Sequence, residues 1–551
     1  MIGVSVPESQ HDIAREFFQL CKTPWQFWKA DQEYQIVICT GDAVVSAKTQ
    51  LLIAYGGHSE YSSTEGKKSS LASRSYISYR DCRIPIYGEC SSFEGSSADV
   101  AFKEANGESS VRATRIEGKT TVEIGYNLFA EVGHLLGPGQ PDDCATCPTI
   151  ELHISLLREI ITRAGFPFVE IPPSPEGFSF SVCLTHDVDH PVLRNHFFDL
   201  TMAGFLYRAT LGAARAYLRR RISLKRLWRN WEAAGRLPFI YAKLSDDFWH
   251  DFERYREIEG KKPSTFFVIP QRGVPGRQKT GSAPRKRGCK YSLSEIKAAL
   301  ERITAGGSEV AVHGIDAWLD TESGLLEQAE LAKIRGANYR GIRMHWLYFD
   351  EQSPSKLDAA GFCYDSSLGY NNTVGYRSGT TQVFQPLRTQ KLLEIPLHVM
   401  DTALFYPDYL NLSEKDAHTV VTTLIRNASR FGGVLTVNWH DRSIAPERLW
   451  DEFYRELLEE LHAAGAWFAT AAQVAGWFQM RRSATFEKVE YGSNEVTVRV
   501  RLSVIDSTLP HPKIRIYKPC KIDASQPFAA AGELEFTDSP LTSAIDSTIN
   551  L

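Results

Sequence analysis

From residue 176 to residue 482 the chain alternates short apolar strands with amphipathic helical stretches, and this alternation constrains the fold more than any other feature. FSFSVCL (178–184) places Phe178, Phe180, Val182 and Leu184 on one face of a strand. STFFVIP (264–270), SEVAVHG (308–314), YRGIRMH (339–345), KLLEIPL (391–397) and GVLTVNWH (433–440) read as further strands. Helices are predicted between several of them, over 293–303, 325–334, 413–429 and 446–464. A strand, a helix and a second strand imply a crossover and a parallel sheet. The predicted fold class is α/β, with a sheet long enough to close into a barrel.

The flanks differ in pattern. Residues 1–175 mix helix and strand and read as an N-terminal α/β domain. In 150–165, Ile150, Ile154, Leu157 and Ile161 fall on one helical face, with Gly165 as a stop. A Pro-rich linker, IPPSPEG, follows. After residue 482 the period changes to two: Val496, Val498, Val500 and Leu502 alternate, so 483–551 reads as a small C-terminal β appendage. The predicted organisation is thus 1–175, 176–482 and 483–551.

Composition narrows the class of function. With 551 residues, 43% of them hydrophobic and 23% charged, the chain has an ordinary globular balance. Its 62 Lys and Arg against 66 Asp and Glu give a formal charge of -4, which argues against a globally basic nucleic-acid binder. No apolar run reaches the ~18 residues of a membrane span. The opening MIGVSVPESQHD lacks a basic patch before an apolar core, so no secretory signal is read and the ten cysteines are expected as thiols. A cytoplasmic location is the expectation. Cys144 and Cys147 form a lone CxxC with no second pair at zinc-finger spacing. The absence of a GxSxG elbow argues against a serine esterase of the α/β-hydrolase type.

A helical insertion, 191–250, interrupts the barrel pattern. Within 201–240 stand nine Arg or Lys (208, 215, 219, 220, 221, 225, 226, 229 and 236) and one acid, Glu232. Leu206, Tyr207, Leu211, Tyr217, Leu218, Leu224, Leu227 and Trp228 are interleaved. Such a segment can lie on an anionic membrane surface. The alternative is a pair of helices packed on the barrel with their basic residues in water.

The chemistry-bearing residues sit at strand ends. Asp187 and Asp189 follow the first strand in THDVDH, His313 ends the third, Arg343 and His345 end the fourth, and His440 ends the last. In an α/β barrel the carboxyl ends of parallel strands converge on one site. The spacing Asp-x-Asp puts both carboxylates on one side of an extended segment. Their repulsion is relieved if a cation takes one and an arginine pairs with the other. One of Asp187 and Asp189 is therefore expected to hold a metal and its twin to act as a base, with His313 as a second ligand.

These residues resemble a known family. THDVDH (185–190), STFFVIP (264–270), EVAVHG (309–314), GIRMHW (341–346), FCYDSSLGY (362–370), LEIP (393–396) and VNWH (437–440) occur in the order and rough spacing of the polysaccharide deacetylase domain, carbohydrate esterase family 4. WHDFERYREIEGKKPSTFF resembles a subgroup with an added N-terminal domain. The resemblance implies a distorted (β/α) barrel and metal-dependent removal of acetyl groups from sugars. It implies Asp187 as general base, Asp189 and His313 as ligands of a divalent metal (Zn, with Co, Mn or Ni as alternatives), and Arg343 as partner of the base. It further implies His440 as the acid that protonates the leaving group, and Trp346, His345 and Asp365 on the substrate side.

The sequence departs from the family at one point. The family's His-Ser/Thr-x-x-His is here His313-Gly-Ile-Asp-Ala, so Ala317 stands where a second histidine belongs. Asp316 is expected as the third ligand, with His345 and His190 as alternatives. Two other functions stay open: a barrel that binds glycan without hydrolysing it, and another carbohydrate hydrolase on the same barrel. The expected substrate is a surface polysaccharide or its precursor, handled at the inner face of a membrane.

Overall fold

A computed structural model describes residues 1–40, 49–56, 67–68, 75–93, 100–102, 109–116, 118–220, 222–249, 252–448, 450–491, 495–520, 533–541 and 545–550. Arg221 of the basic set lies outside the described residues. The chain divides into two compact units, one formed by 1–177, 376–387 and 476–551, the other by 178–375 and 388–475.

In the first unit, strands Trp25–Phe27, Ile2–Ser5, Ile36–Thr40, Leu51–Tyr55 and Lys119–Ile124 lie side by side in parallel. Val111–Ile116 and Val100–Phe102 extend this sheet antiparallel. The helix read over 150–165 spans Thr149–Arg163. Beyond it, Phe168–Glu170 pairs antiparallel with Lys513–Tyr517, so segments that precede and follow the barrel in sequence share one sheet. The alternation at Val496, Val498, Val500 and Leu502 buries all four against Val169, Ile171, Ile514 and Ile516.

The second unit holds nine parallel strands: β1 (Phe180–Val188), β2 (Thr265–Val268), β3 (Glu309–Gly314), β4 (Asn338–Met344), β5 (Tyr364–Asp365), β6 (Leu393–Glu394), β7 (Val399–Met400), β8 (Val434–Asn438) and β9 (Ala466–Ala469). They run in the order β6-β5-β4-β3-β2-β1-β8-β7, and β9 also pairs with β1. All nine residues of β1 are buried, as expected of a parallel strand covered on both faces. Among the described residues no ladder joins β6 to β7, so the curved sheet stays open between two strands of two residues each. This is the distorted barrel.

Local chemistry places the surrounding helices. Ser292 and Glu295 form a capping box that starts Leu293–Ala305. Ser413 caps Glu414–Phe431, and Gly432, at φ 79°, ends it. The helix read over 325–334 runs instead over Thr321–Leu331, because the Asp320 side chain accepts from Ser323 N and starts it earlier. The helix read over 446–464 begins only at Asp451. In the insertion, α1 (Leu200–Tyr207), a π turn (Arg208–Gly212), α2 (Ala213–Leu218) and α3 (Leu224–Tyr241) form a helical hairpin. No helix among the described residues is long and apolar enough to cross a membrane.

Candidate active site

The strand ends converge as their chemistry requires. A cavity of about 430 Å³ is lined by Asp187, Asp189, His190, His313, His345 and His440, with Trp346, Tyr348, Tyr406 and Tyr409 at its aromatic parts. Asp187 lies on β1 and Asp189 directly follows it, His313 lies on β3, His345 directly follows β4, and His440 stands two residues after β8.

Asp187 is almost fully buried and tied on both oxygens. Arg343 Nη1 donates to its Oδ1 at 3.0 Å and Asn438 Nδ2 donates to its Oδ2 at 2.8 Å. Burial opposes its ionisation, but His313, Arg343 and His440 together hold its carboxyl below the usual range. Arg343 is itself fixed. Its Nε donates to Ser366 O at 3.0 Å, its Nη2 to Ser366 Oγ at 2.9 Å, and the guanidinium lies 4.4 Å from the Phe267 ring. Asp187 is therefore a carboxylate held in one orientation.

Asp189 has the opposite environment. Its Oδ1 is buried with no hydrogen-bond partner among the described residues. It faces His313 Nε2 at 3.5 Å and His345 Nδ1 at 3.3 Å, and the two ring nitrogens are 3.1 Å apart. His313 Nδ1 lies 3.0 Å from the carbonyl of Arg343, which can only accept. Nδ1 therefore carries a proton, and Nε2 is the ring nitrogen that faces the triangle. Burial lowers the pKa of His345, against the pull of Asp189, which favours a neutral ring at that position.

Ligand atoms around a tetrahedral ion at about 2.0–2.1 Å stand about 3.3 Å apart. The triangle of Asp189, His313 and His345, with one orphaned carboxylate oxygen, has that size and the imidazole-carboxylate character that suits zinc and similar ions. These three residues fit a divalent metal with a further position open towards the cavity.

Asp316, expected as the third ligand, is not part of this triangle. Its Oδ1 accepts from Arg277 N at 2.8 Å and its Oδ2 faces Arg277 Nε at 3.2 Å, so a guanidinium already compensates its charge. Ala317 is fully buried, with no side chain to reach an ion. His345, expected on the substrate side and, with His190, as an alternative ligand, is the imidazole that lies in the triangle. His190 lines the same cavity, and burial pushes its pKa far down. Asp365, also expected near substrate, is fully buried in β5, where its register partner is Glu394. Burial pushes its carboxyl up to about 6, and Ser367 Oγ donates to its Oδ1 at 2.5 Å. It is buried and is not among the residues that line the cavity.

His440 occupies another wall. Its Nδ1 is 2.6 Å from Asp401 Oδ1, its backbone N donates to Asp401 Oδ2 at 2.7 Å, and Ser443 Oγ donates to the same oxygen. Burial works against the imidazolium, but the Asp401 carboxylate overrides it and raises the pKa to about 10. His440 is therefore charged at neutral pH, with Nε2 free to donate. Asp401 was not read from the sequence. It follows β7, a strand of two residues that is too short to show a period. Asn438 escaped notice as well, although a lone amide at the end of an apolar strand was a visible signal.

Trp346 and Leu347 are held at φ 61° and 51°, a left-handed pair rarely adopted by residues with a Cβ. This turn directly follows His345, and Trp346 stands in the cavity wall, 5.7 Å from the His345 ring. Lys286 Nζ stands 5.6 Å from the Trp346 ring centre.

Solved structures that match this chain include polysaccharide deacetylases. A candidate polysaccharide deacetylase from Mycobacterium smegmatis matches at 18% identity and a TM-score of 0.33, covering 55% of this chain and 93% of that one. A family 4 carbohydrate esterase from Streptomyces lividans in complex with acetate matches at 11% identity and a TM-score of 0.24, over 54% of this chain and 94% of that one. PuuE allantoinase matches at 15% and 0.31, over 55% and 92%. No family model and no curated sequence matches this chain.

Proposed function

We propose that this protein is a metal-dependent hydrolase that removes acetyl groups from a carbohydrate. One observation carries the reading. A fixed, ionised Asp187 and a charged His440 share a cavity with the open triangle of Asp189, His313 and His345.

The roles follow from the environments. A divalent ion, when bound by Asp189, His313 and His345, lowers the pKa of water and polarises a carbonyl oxygen. Asp187, pinned by Arg343 and Asn438, accepts the proton of the attacking water. Water adds to the acetyl carbonyl carbon, and the bond from that carbon to the sugar nitrogen or oxygen breaks. His440 Nε2–H delivers a proton to the departing atom, and acetate and the free sugar amine or hydroxyl result. Asp401 acts as a positioning residue that keeps His440 charged and oriented. Trp346, Tyr406 and Tyr409 offer the flat apolar surfaces on which sugar rings pack.

The test is acetate release by the zinc-loaded full chain from partially acetylated amino-sugar and xylo-oligosaccharides. Release that needs both metal and Asp187 supports the reading. A fully metallated protein that binds these oligosaccharides and releases no acetate would favour a glycan-binding barrel.

A further inference from the structure

The helical hairpin α1–α3 is built with two apolar faces. Its inner face is ordinary core: Met202, Phe205 and Ala209 pack with Leu237, Ile240 and Trp249. Its outer face should be polar if it met only water. It is not. Of the 22 large hydrophobics exposed among the described residues, 13 lie between positions 197 and 244. They are ordered rather than scattered. Leu200, Tyr207, Leu211 and Leu218 recur at intervals of seven, four and seven along α1, the π turn and α2, which is one helical stripe. Leu224, Trp228 and Trp231 form a second stripe on α3. Leu218 is 80% exposed, Leu211 70% and Trp228 61%. A Cβ added at Gly235, further along that helix, would meet nothing within 4 Å.

Charge identifies what covers this face. At the turn between α2 and α3, Arg215, Arg219, Arg220 and Lys225 are exposed, and none has a carboxylate oxygen within 4.0 Å among the described residues. The sole acid of 201–240 is Glu232. Apolar stripes with Trp, flanked by uncompensated cations, match the acyl boundary and the anionic headgroups of a membrane surface. A second copy of this chain would set these cations against their own kind under a two-fold axis.

We infer that the α1–α3 hairpin docks the protein onto an anionic lipid bilayer, lying in the interface without crossing it. Ala445 belongs to the apolar core beneath the hairpin, just after Asp441 and Arg442 of the cavity wall. Docking would therefore bring the cavity near the lipid surface, where a membrane-attached glycan is presented. The inference stands independently of the hydrolase reading, since it concerns binding alone.

The experiment is co-sedimentation of the full chain with vesicles of pure phosphatidylcholine and with vesicles holding about one third phosphatidylglycerol. The expected result is at least tenfold stronger partition onto the anionic vesicles, weakening as salt rises. L211S/L218S/W228S, which alters only exposed positions, is expected to lose at least tenfold of that partition while keeping the native circular dichroism. Equal partition onto both vesicles, undiminished binding by the triple variant, or a dimer in analytical ultracentrifugation that the same substitutions dissolve would each overturn the inference.

Discussion

His345 Nδ1 and Asp189 Oδ1 stand 3.3 Å apart at the ends of β4 and β1, two strands that the sheet separates by β3 and β2. His313, on β3, completes the triangle. On the proposed reading the third imidazole comes from the tip of β4, and not from the turn after β3, where Ala317 stands.

Replacing His345 by Ala should weaken zinc binding by more than ~100-fold, because even outer-shell partners of a ligand are worth ~10–100-fold. Asp316→Ala should leave affinity within about twofold, apart from the loss of the Arg277 pair. Competition against a chromogenic chelator reads both. Tight zinc binding by His345→Ala would remove this residue from the site.

Asp187→Asn should keep the fold and the metal, since Arg343 and Asn438 can still meet an amide. It should cut acetate release by ~10²–10⁴-fold, the usual worth of a general base. Elemental analysis and steady-state kinetics on the same preparation check the two halves together.

The proposed mechanism requires Asp187 ionised and His440 protonated. The alkaline limb of kcat/KM should therefore lie near pH 10, where burial and Asp401 together set His440. Asp401→Asn should move that limb down towards the ordinary imidazole value of about 6.5. The same pair affects stability. The folded pKa of His440 lies above the unfolded one, so its contribution is full below about pH 6.5 and is lost as pH rises through about 10. A limb that stays put in Asp401→Asn would separate His440 from Asp401.

Arg343→Lys should lower kcat by about 10–100-fold while leaving metal content unchanged. Lysine keeps a charge near Asp187 but cannot hold Ser366 Oγ, the Ser366 carbonyl and Asp187 in one planar fork. Single-turnover kinetics with metal-loaded protein tests it.

Gly341→Ala should destabilise the barrel by about 1–3 kcal/mol. A Cβ there would sit 2.2 Å from Tyr364 Oη, and Tyr364 is buried with its hydroxyl donating to Glu309 Oε1 at 2.7 Å. Chemical denaturation reads the change, and Tyr364→Phe in the same background should not restore it, because the ring carbon Cζ is as close as the hydroxyl.

The barrel and most of its site could be read in the sequence because strand period and polar strand ends are local signals. THDVDH, EVAVHG and VNWH each combine an apolar run with a polar end, and their residues meet in one cavity. Three things were hidden. β5, β6 and β7 are two residues long, too short for a period, so Asp401 had no frame to be read in and Asp365 could not be seen to face inward. The choice between Asp316 and His345 depends on Arg277, which arrives from a distant loop. The exposure of Leu211, Leu218 and Trp228 depends on which face of the hairpin the barrel covers, and helical spacing alone leaves that undecided.

The pairing of β3 with β4 sets His313 opposite Arg343, one step before the turn that presents His345. Two residues of the triangle thus belong to adjacent strand tips, and the third to a strand across the sheet. An ion seated there is a rivet through three separately folded edges. It can be inserted only once those edges have closed, and after that it resists their peeling apart. Apo protein should accordingly open first at this rim, and chelators should shorten its lifetime against proteases before they alter its secondary structure.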